Sequence, residues 1–388
     1  MGFLSNNQKF FFELLRIGLW GGCYFDLNTN LNLDLIEDVK WNEVYRLAQE
    51  QSVQGLVLQG IDTVQGSWLK VHGSPLVPKG LLLQWIGEVQ MIEQRNKEMN
   101  AFIAELIDKL RKADIYALLV KGQGIAQCYE KPLWRCSGDV DLLLSADNYE
   151  KAKTVLMPIA SEVKTEYEGI SHLGMTIDEW VVELHGSLRV GLPNRINHEL
   201  DDIQRDTFYG GNVRAWNNNG TRIFMLSKEN DIVYVFVHFF NHFYKEGVGL
   251  RQICDWCRLL YTYRDSLNYE LLESRIKRAG LMSEWKAFYN LASRYLGMPD
   301  LGSGLMVHDS RFDKKADRIM EFILKSGNMG HNRDMSHFSK YPYLIRKCVS
   351  MGRRISDLIN HARIFPLDSL RFFPRIMFNG VLSAMRGE

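Results

Sequence analysis

The sequence predicts an α+β fold: a small mixed β-sheet core flanked by N- and C-terminal helical segments. Three observations predict it. Apolar residues recur at helical spacing over most of the chain before 113 and again after 226. Between them, short apolar or alternating runs rich in β-formers replace that spacing. Turn residues separate those runs, ending in Asn217-Asn218-Asn219-Gly220, which suits a tight hairpin. The expected division is a helical region over 1–113, an α/β core over 114–225 and a helical domain with a basic tail over 226–388.

In chain order, Phe10, Phe11, Leu14, Leu15 and Leu19 mark a first helix, and residues 41–57 read as one amphipathic segment. Residues 66–79 are rich in Gly and Pro and read as a loop. A long helix is expected over 80–112, ending in Lys109, Arg111 and Lys112, cations that suit a helix C-terminus. It is expected to pack beside the sheet. Residues 115–120 form a short apolar run typical of a buried strand, followed by the turn Lys121-Gly122-Gln123-Gly124 and a brief helix over 125–129. Gly138-Asp139-Val140-Asp141-Leu142-Leu143-Leu144 reads as the next strand. A helix over 147–157 and strands over 164–170, 175–177 and 180–184 complete the core. Ser227 offers a cap for a helix over 231–243, and further helices are expected over 249–263, 269–279 and 283–296.

Bulk properties exclude more than they assign. A formal net charge of +1 gives no global field that favours nucleic acid. Cysteines at 23, 128, 136, 254, 257 and 348 are scattered, as reduced thiols are, and Cys254 and Cys257 read as packing residues of a helix. The N-terminus lacks an early basic stretch, Glu13 interrupts its apolar residues, and the apolar run 232–240 is too short to span a bilayer. A cytoplasmic protein without an integral membrane segment is expected. The tail carries Arg353, Arg354, Arg363, Arg371, Phe372, Phe373 and Arg375. It suits a charged helical face, a partner surface or an interfacial membrane element. Pro366 and Pro374 break any long amphipathic helix and speak against peripheral membrane contact.

The chemistry concentrates near residue 121 and residue 139. Asp139 and Asp141 share one face of a strand, because side chains alternate. Two carboxylates on an otherwise apolar strand repel each other and cost desolvation, and a hard cation such as Mg²⁺ removes both problems. Lys121 and Gly122 form either a bare strand-to-helix turn or a phosphate cradle to which Gln123 adds a donor. Arg135 either pairs with a carboxylate or touches a triphosphate. His238 and His242 stand one helical turn apart, but Phe239 replaces the Glu of the zinc-protease motif and no third ligand is evident. Packing histidines are the expectation there.

The Lys121-Gly122 turn, Arg135 and the GDVDLLL strand resemble the active-site signature of the DNA polymerase β nucleotidyltransferase superfamily. Within it they look like the broad bacterial family of uncharacterised nucleotidyltransferases. The superfamily's usual turn is Gly-Ser, and Lys-Gly fits the narrower family. The catalytic resemblance covers residues 115–185, with a weaker likeness in the helices on either side. It implies a Mg²⁺-dependent enzyme, with Mn²⁺ as an alternative ion, that moves an NMP from an NTP to an acceptor and releases pyrophosphate. Asp139 and Asp141 would coordinate the metal, and Lys121, Gly122, Gln123 and Arg135 would hold the nucleotide.

The superfamily takes a third carboxylate from a later strand. Glu162, Glu166, Glu168, Asp178, Glu179 and Glu183 are available, and Glu183 alone stands inside an apolar strand, between Val182 and Leu184. A strand beside the Asp-x-Asp strand would make it the third metal ligand; the alternative is an ion pair with Arg135. His185 lies on the same face, and the Glu183-Leu184-His185 context resembles the family's third motif. The resemblance further implies an acceptor side near His185, His238, His242, Arg251 and Asp255. Neutral net charge, and no basic-aromatic stripe near the site, favour a small molecule or protein acceptor over nucleic acid. A reading from another class is a nucleotide- or partner-binding protein with little turnover on the same fold. NTP binding with and without Mg²⁺, followed by pyrophosphate release, separates the two.

Overall fold

The computed structural model describes residues 3–21, 39–72, 75–166, 171–245, 247–302, 304, 307–330, 342–371 and 374. Cys23, Glu168, Phe372, Phe373 and Arg375 lie outside the described residues, as do positions 167–170 of the strand expected over 164–170, whose first residues, 164–166, are not in a strand.

Among the described residues, four helices precede the sheet: α1 (Asn6–Trp20), α2 (Trp41–Glu50), α3 (Gln54–His72) and α4 (Lys79–Lys112). The amphipathic segment expected over 41–57 is two helices, because the chain turns at Ser52, whose φ is +55°. Gln51, fully buried at that break, accepts from the Leu250 N–H and donates to the Ile323 carbonyl. The loop expected from 66 onward is helical as far as His72. A glycine inside a helix costs only about 1 kcal/mol, and buried Leu56, Val57, Ile61 and Val64 anchor the preceding turns.

The sheet core contains β1 (Ala117–Val120), α5 (Gly122–Ala126), β2 (Val140–Leu144), α6 (Ala146–Leu156), β3 (Glu162–Val163), β4 (His172–Ile177), β5 (Trp180–His185), α7 (Asn194–Phe208), β6 (Val213–Asn218) and β7 (Thr221–Leu226). The described strands form one mixed sheet in the order β3-β4-β5-β2-β1-β7-β6. β2 pairs in parallel with β5 and β1 with β7; the other pairs are antiparallel. Asn219 and Gly220, both at positive φ, close the β6–β7 hairpin, as the Asn-Gly signal predicts.

Beyond the sheet lie α8 (Lys228–Lys245), α9 (Leu250–Tyr263), α10 (Tyr269–Ala279), α11 (Met282–Leu296), α12 (Asp313–Ser326) and α13 (Tyr343–Ala362). Among the described residues, no helix is long and apolar enough to cross a membrane.

Strand alternation divides the sheet between two cores. Val140, Leu142, Leu144, Val182 and Leu184 join Met99, Ile103, Ile107 and Leu110 of α4 and Tyr149 and Leu156 of α6. The long helix thus packs on the sheet as expected. Leu118, Val120 and Leu143 face the other way, into a larger core built from both helical flanks. Asp141, Glu183 and His185 alternate with the first set and so share the second face. The site therefore lies between the sheet and the helical body.

Candidate active site in the cleft between the sheet and helices α8 and α9

β2 is buried along its whole length, yet its second residue is Asp141, only 2% exposed. Asp139 lies just before the strand. Parallel pairing places Glu183 of β5 directly opposite Asp141. Carboxylate oxygens of Asp139, Asp141 and Glu183 all fall within 4.8 Å of one another. The expected neighbouring-strand position of Glu183 is thus observed. Its hydrogen-bond partner is His172, at 3.1 Å, rather than Arg135.

Lys121 supplies the nearest positive charge. Antiparallel pairing of β1 with β2 sets Val120 opposite Asp141, so the next residue turns over the carboxylates. The Lys121 Nζ lies 2.8 Å from Asp141 Oδ1 and 3.4 Å from His238 Nε2. Its backbone has φ +60° and ψ −147°, a conformation L-residues rarely adopt. Gly122 follows at φ +44°, where a non-glycine residue would be strained.

Charge balance sets the titration of this group. Burial alone would lower the Lys121 ammonium, but Asp141, Tyr234 and Asp139 outweigh it and raise its pKa. Burial would raise Asp141, yet the Lys121 charge and the His185 hydrogen bond hold it well below the usual carboxylate range. Glu183 is lowered likewise: burial opposes, and the His172 hydrogen bond and the Lys121 charge prevail against Asp141. Asp139 goes the other way, pushed up first by Asp141 and then by burial. Lys121 and the more distant Arg251 offset the three carboxylates only in part, and Asp139 carries the deficit.

The helices close the cleft, a cavity of about 440 Å³. Tyr234, His238, His242 and Lys245 follow one another along a face of α8, and Arg251 and Asp255 along α9. The two histidines are not packing residues: they line the cavity, with their Nε2 atoms 3.0 Å apart. Burial, then Lys121 and His242, push the His238 pKa far down, so its imidazole is neutral. Arg251 donates to the Cys136 carbonyl.

Other expected site residues are committed to the scaffold. Gln123 points away from the cavity, and its amide donates to Asn96 and Ser137. A side chain 1% exposed and facing the α4 core reaches no ligand in the cleft, which removes it as a nucleotide donor. Arg135 makes a bidentate pair with Asp255, both bonds 2.7 Å, and donates also to Ser137 and the Cys136 carbonyl. Tyr129 donates to the same carboxylate. This buried network ties the loop before β2 to α9. Cys254 and Cys257 are fully buried, as packing residues are.

Sequence reading missed His172, which pairs with His185 only through the β4–β5 register. It also missed Tyr234 and Lys245, which helical spacing from His238 and His242 could have flagged.

The sequence pattern described as "uncharacterised nucleotidyltransferase" matches residues 37–297. The chain belongs to that family. Its activity class is nucleotidyl transfer. No curated protein matches the chain significantly. The crystal structure of an antigenic nucleotidyltransferase-like protein from Paracoccidioides brasiliensis is similar over 48% of this chain and 91% of that one, with 16% identity and a TM-score of 0.30. A likeness that slight carries no argument.

For a nucleotidyltransferase, the residues present fit a divalent cation. Three carboxylates converge in a buried cleft, and Lys121 neutralises them only in part.

Proposed function

We propose that the protein moves an NMP group from an NTP to an acceptor nucleophile, in a Mg²⁺-dependent reaction that releases pyrophosphate. The observation that best supports this reading is the convergence of Asp139, Asp141 and Glu183 beneath Lys121. These three carboxylates would hold Mg²⁺ or Mn²⁺. Bound there, the ion supplies neutralisation of phosphate charge and lowers the pKa of the attacking group.

The chain's own residues do the rest. Lys121, beside a glycine turn that admits close backbone approach, binds the outer phosphates once it leaves Asp141. Neutral His238 lines the acceptor side beside Lys121, while Glu183 would help take up the acceptor's proton. His242, Arg251 and His185 orient the acceptor, while Arg135 and Asp255 keep α9 in register with the loop before β2. The cleft is polar and small, which suits a small molecule or an extended protein segment as acceptor. A cytoplasmic setting, where NTP and Mg²⁺ are abundant, goes with this reading.

Calorimetry of NTP binding with and without Mg²⁺, followed by a pyrophosphate-release assay, tests the proposal. Asp141→Asn should retain the fold and lose Mg²⁺-dependent NTP binding. A variant that binds NTP with unchanged Mg²⁺ dependence would sink the assignment. Tight NTP binding by the wild type, without pyrophosphate release in any acceptor mixture, would instead favour a nucleotide-binding protein with little turnover.

A further inference from the structure

The cleft holds a second set of converging ligand atoms, which meets the first at Glu183. β4 and β5 pair so that His172 stands opposite His185. Glu183 lies two residues before His185 and on the same face. The two imidazole rings stack with centroids 4.6 Å apart and planes 11° from parallel. His172 Nε2 lies 3.1 Å from Glu183 Oε2, and His185 Nε2 lies between Asp141 Oδ1, at 2.8 Å, and Glu183 Oε2, at 3.8 Å. All three atoms lie within 4.8 Å of one another.

A single divalent ion would be held by all three residues at once. It would need ligands roughly 2.0–2.2 Å away, and separations of this order between ligand atoms allow that. The donor set also chooses the ion. Mg²⁺ prefers oxygen ligands and keeps its waters, whereas imidazole suits Zn²⁺ and its neighbours. Two adjacent strands of one sheet, β4 and β5, hold the atoms, so the set does not depend on a loop.

We propose that His172, His185 and Glu183 form a Zn²⁺-class site beside the Asp139–Asp141 pair, with Glu183 shared between the two. Three protein ligands leave a further position for water or a bound molecule. The inference shares Glu183 and His185 with the transfer reading and adds to it which ion the imidazoles select.

The test uses metal-free, full-length protein. Zn²⁺ is titrated by calorimetry in excess Mg²⁺, and Co²⁺ is followed by visible absorption. The wild type should bind a Zn²⁺ that Mg²⁺ does not displace. His172→Gln and His185→Gln should each weaken it by roughly tenfold or more. His242→Gln, which removes the imidazole facing His238 across the cleft, should leave it unchanged. Retention in His172→Gln, or loss in His242→Gln, overturns the proposal. X-ray absorption of the Zn²⁺-loaded wild type needs no variant: imidazole scattering supports the site, and an all-oxygen shell refutes it. Mg²⁺-dependent NTP binding without tight Zn²⁺ binding sinks this inference alone. Tight Zn²⁺ binding at these residues without NTP binding sinks the transfer reading and leaves this one standing.

Discussion

Lys121 carries the largest electrostatic burden of any residue in the cleft. Its ammonium faces Asp141 directly and Asp139 nearby, from a backbone conformation that costs about 1–3 kcal/mol. Removing one partner of a buried pair leaves the other uncompensated, at a cost of about 3 kcal/mol or more. Lys121→Ala should therefore be destabilised by about that amount in metal-free buffer. Added Mg²⁺ should restore much of the loss, since an ion that binds only the folded state stabilises it by mass action. Urea melts with and without Mg²⁺ measure both effects. A Mg²⁺ response equal to that of the wild type would place the ion away from these carboxylates. In the sequence, Lys121 was visible only as the residue of a glycine turn. Its position over Asp141 follows from the β1–β2 register, which involves residues some twenty positions apart. Arg135 shows the same limit: its two roles were indistinguishable until α9 brought Asp255 against it.

Elements here meet through glycines as much as through apolar side chains. α1 and α3 cross so closely that a Cβ at Gly18 would collide with the Leu56 carbonyl oxygen, and one at Gly60 with that of Leu14. Backbone cannot yield as a flexible side chain can. Gly60→Ala should thus cost about 3 kcal/mol through overpacking, read as a lower urea midpoint with an unchanged slope. Gly87, in the middle of α4, has nothing within 4 Å of a built Cβ. Gly87→Ala should gain up to about 1 kcal/mol from helix propensity. Equal effects at the two positions would refute the packing argument. Helical periodicity reveals α1 and α3 as elements, but not which helix touches which. The glycines that look like breakers in a one-dimensional reading are contact points in the fold.

At the scale of the whole molecule, three distant stretches meet at one buried acid. Glu284 of α11 faces Asp368 in the segment after α13, and Asp368 accepts from Arg195 of α7 at 2.6 Å. Burial, then the hydrogen bond and charge of Asp368, push the Glu284 pKa up from 4.5 to about 8. A carboxyl raised by folding contributes stability that is complete below its unfolded pKa and is lost as pH rises through its folded one. The window is therefore pH 4.5 to about 8, and the loss across it is on the order of 5 kcal/mol. Glu284→Gln keeps a donor for Asp368 and cannot ionise. Its urea midpoint should exceed that of the wild type at pH 8.5, and the two should converge near pH 4.5. A variant no more stable at pH 8.5 would show that Glu284 titrates normally.

Local order was legible in the sequence because it depends on near neighbours. Hydrophobic period, β-former runs, the Asn-Gly hairpin and the Asp-x-Asp alternation all act over a few residues, and they located the sheet between its helical flanks. The Asp139 and Asp141 pair, and Glu183 as the one acid inside an apolar strand, were found by that same alternation with burial cost. Strand order and helix packing are different, because they join residues far apart in the chain and leave no local period. Only the tertiary structure placed His172 against His185, turned His238 and His242 into the cleft, and withdrew Gln123 into the core. The physical reason is that burial and register decide which polar side chains meet. Both are properties of the packed sheet and helices, not of any one segment.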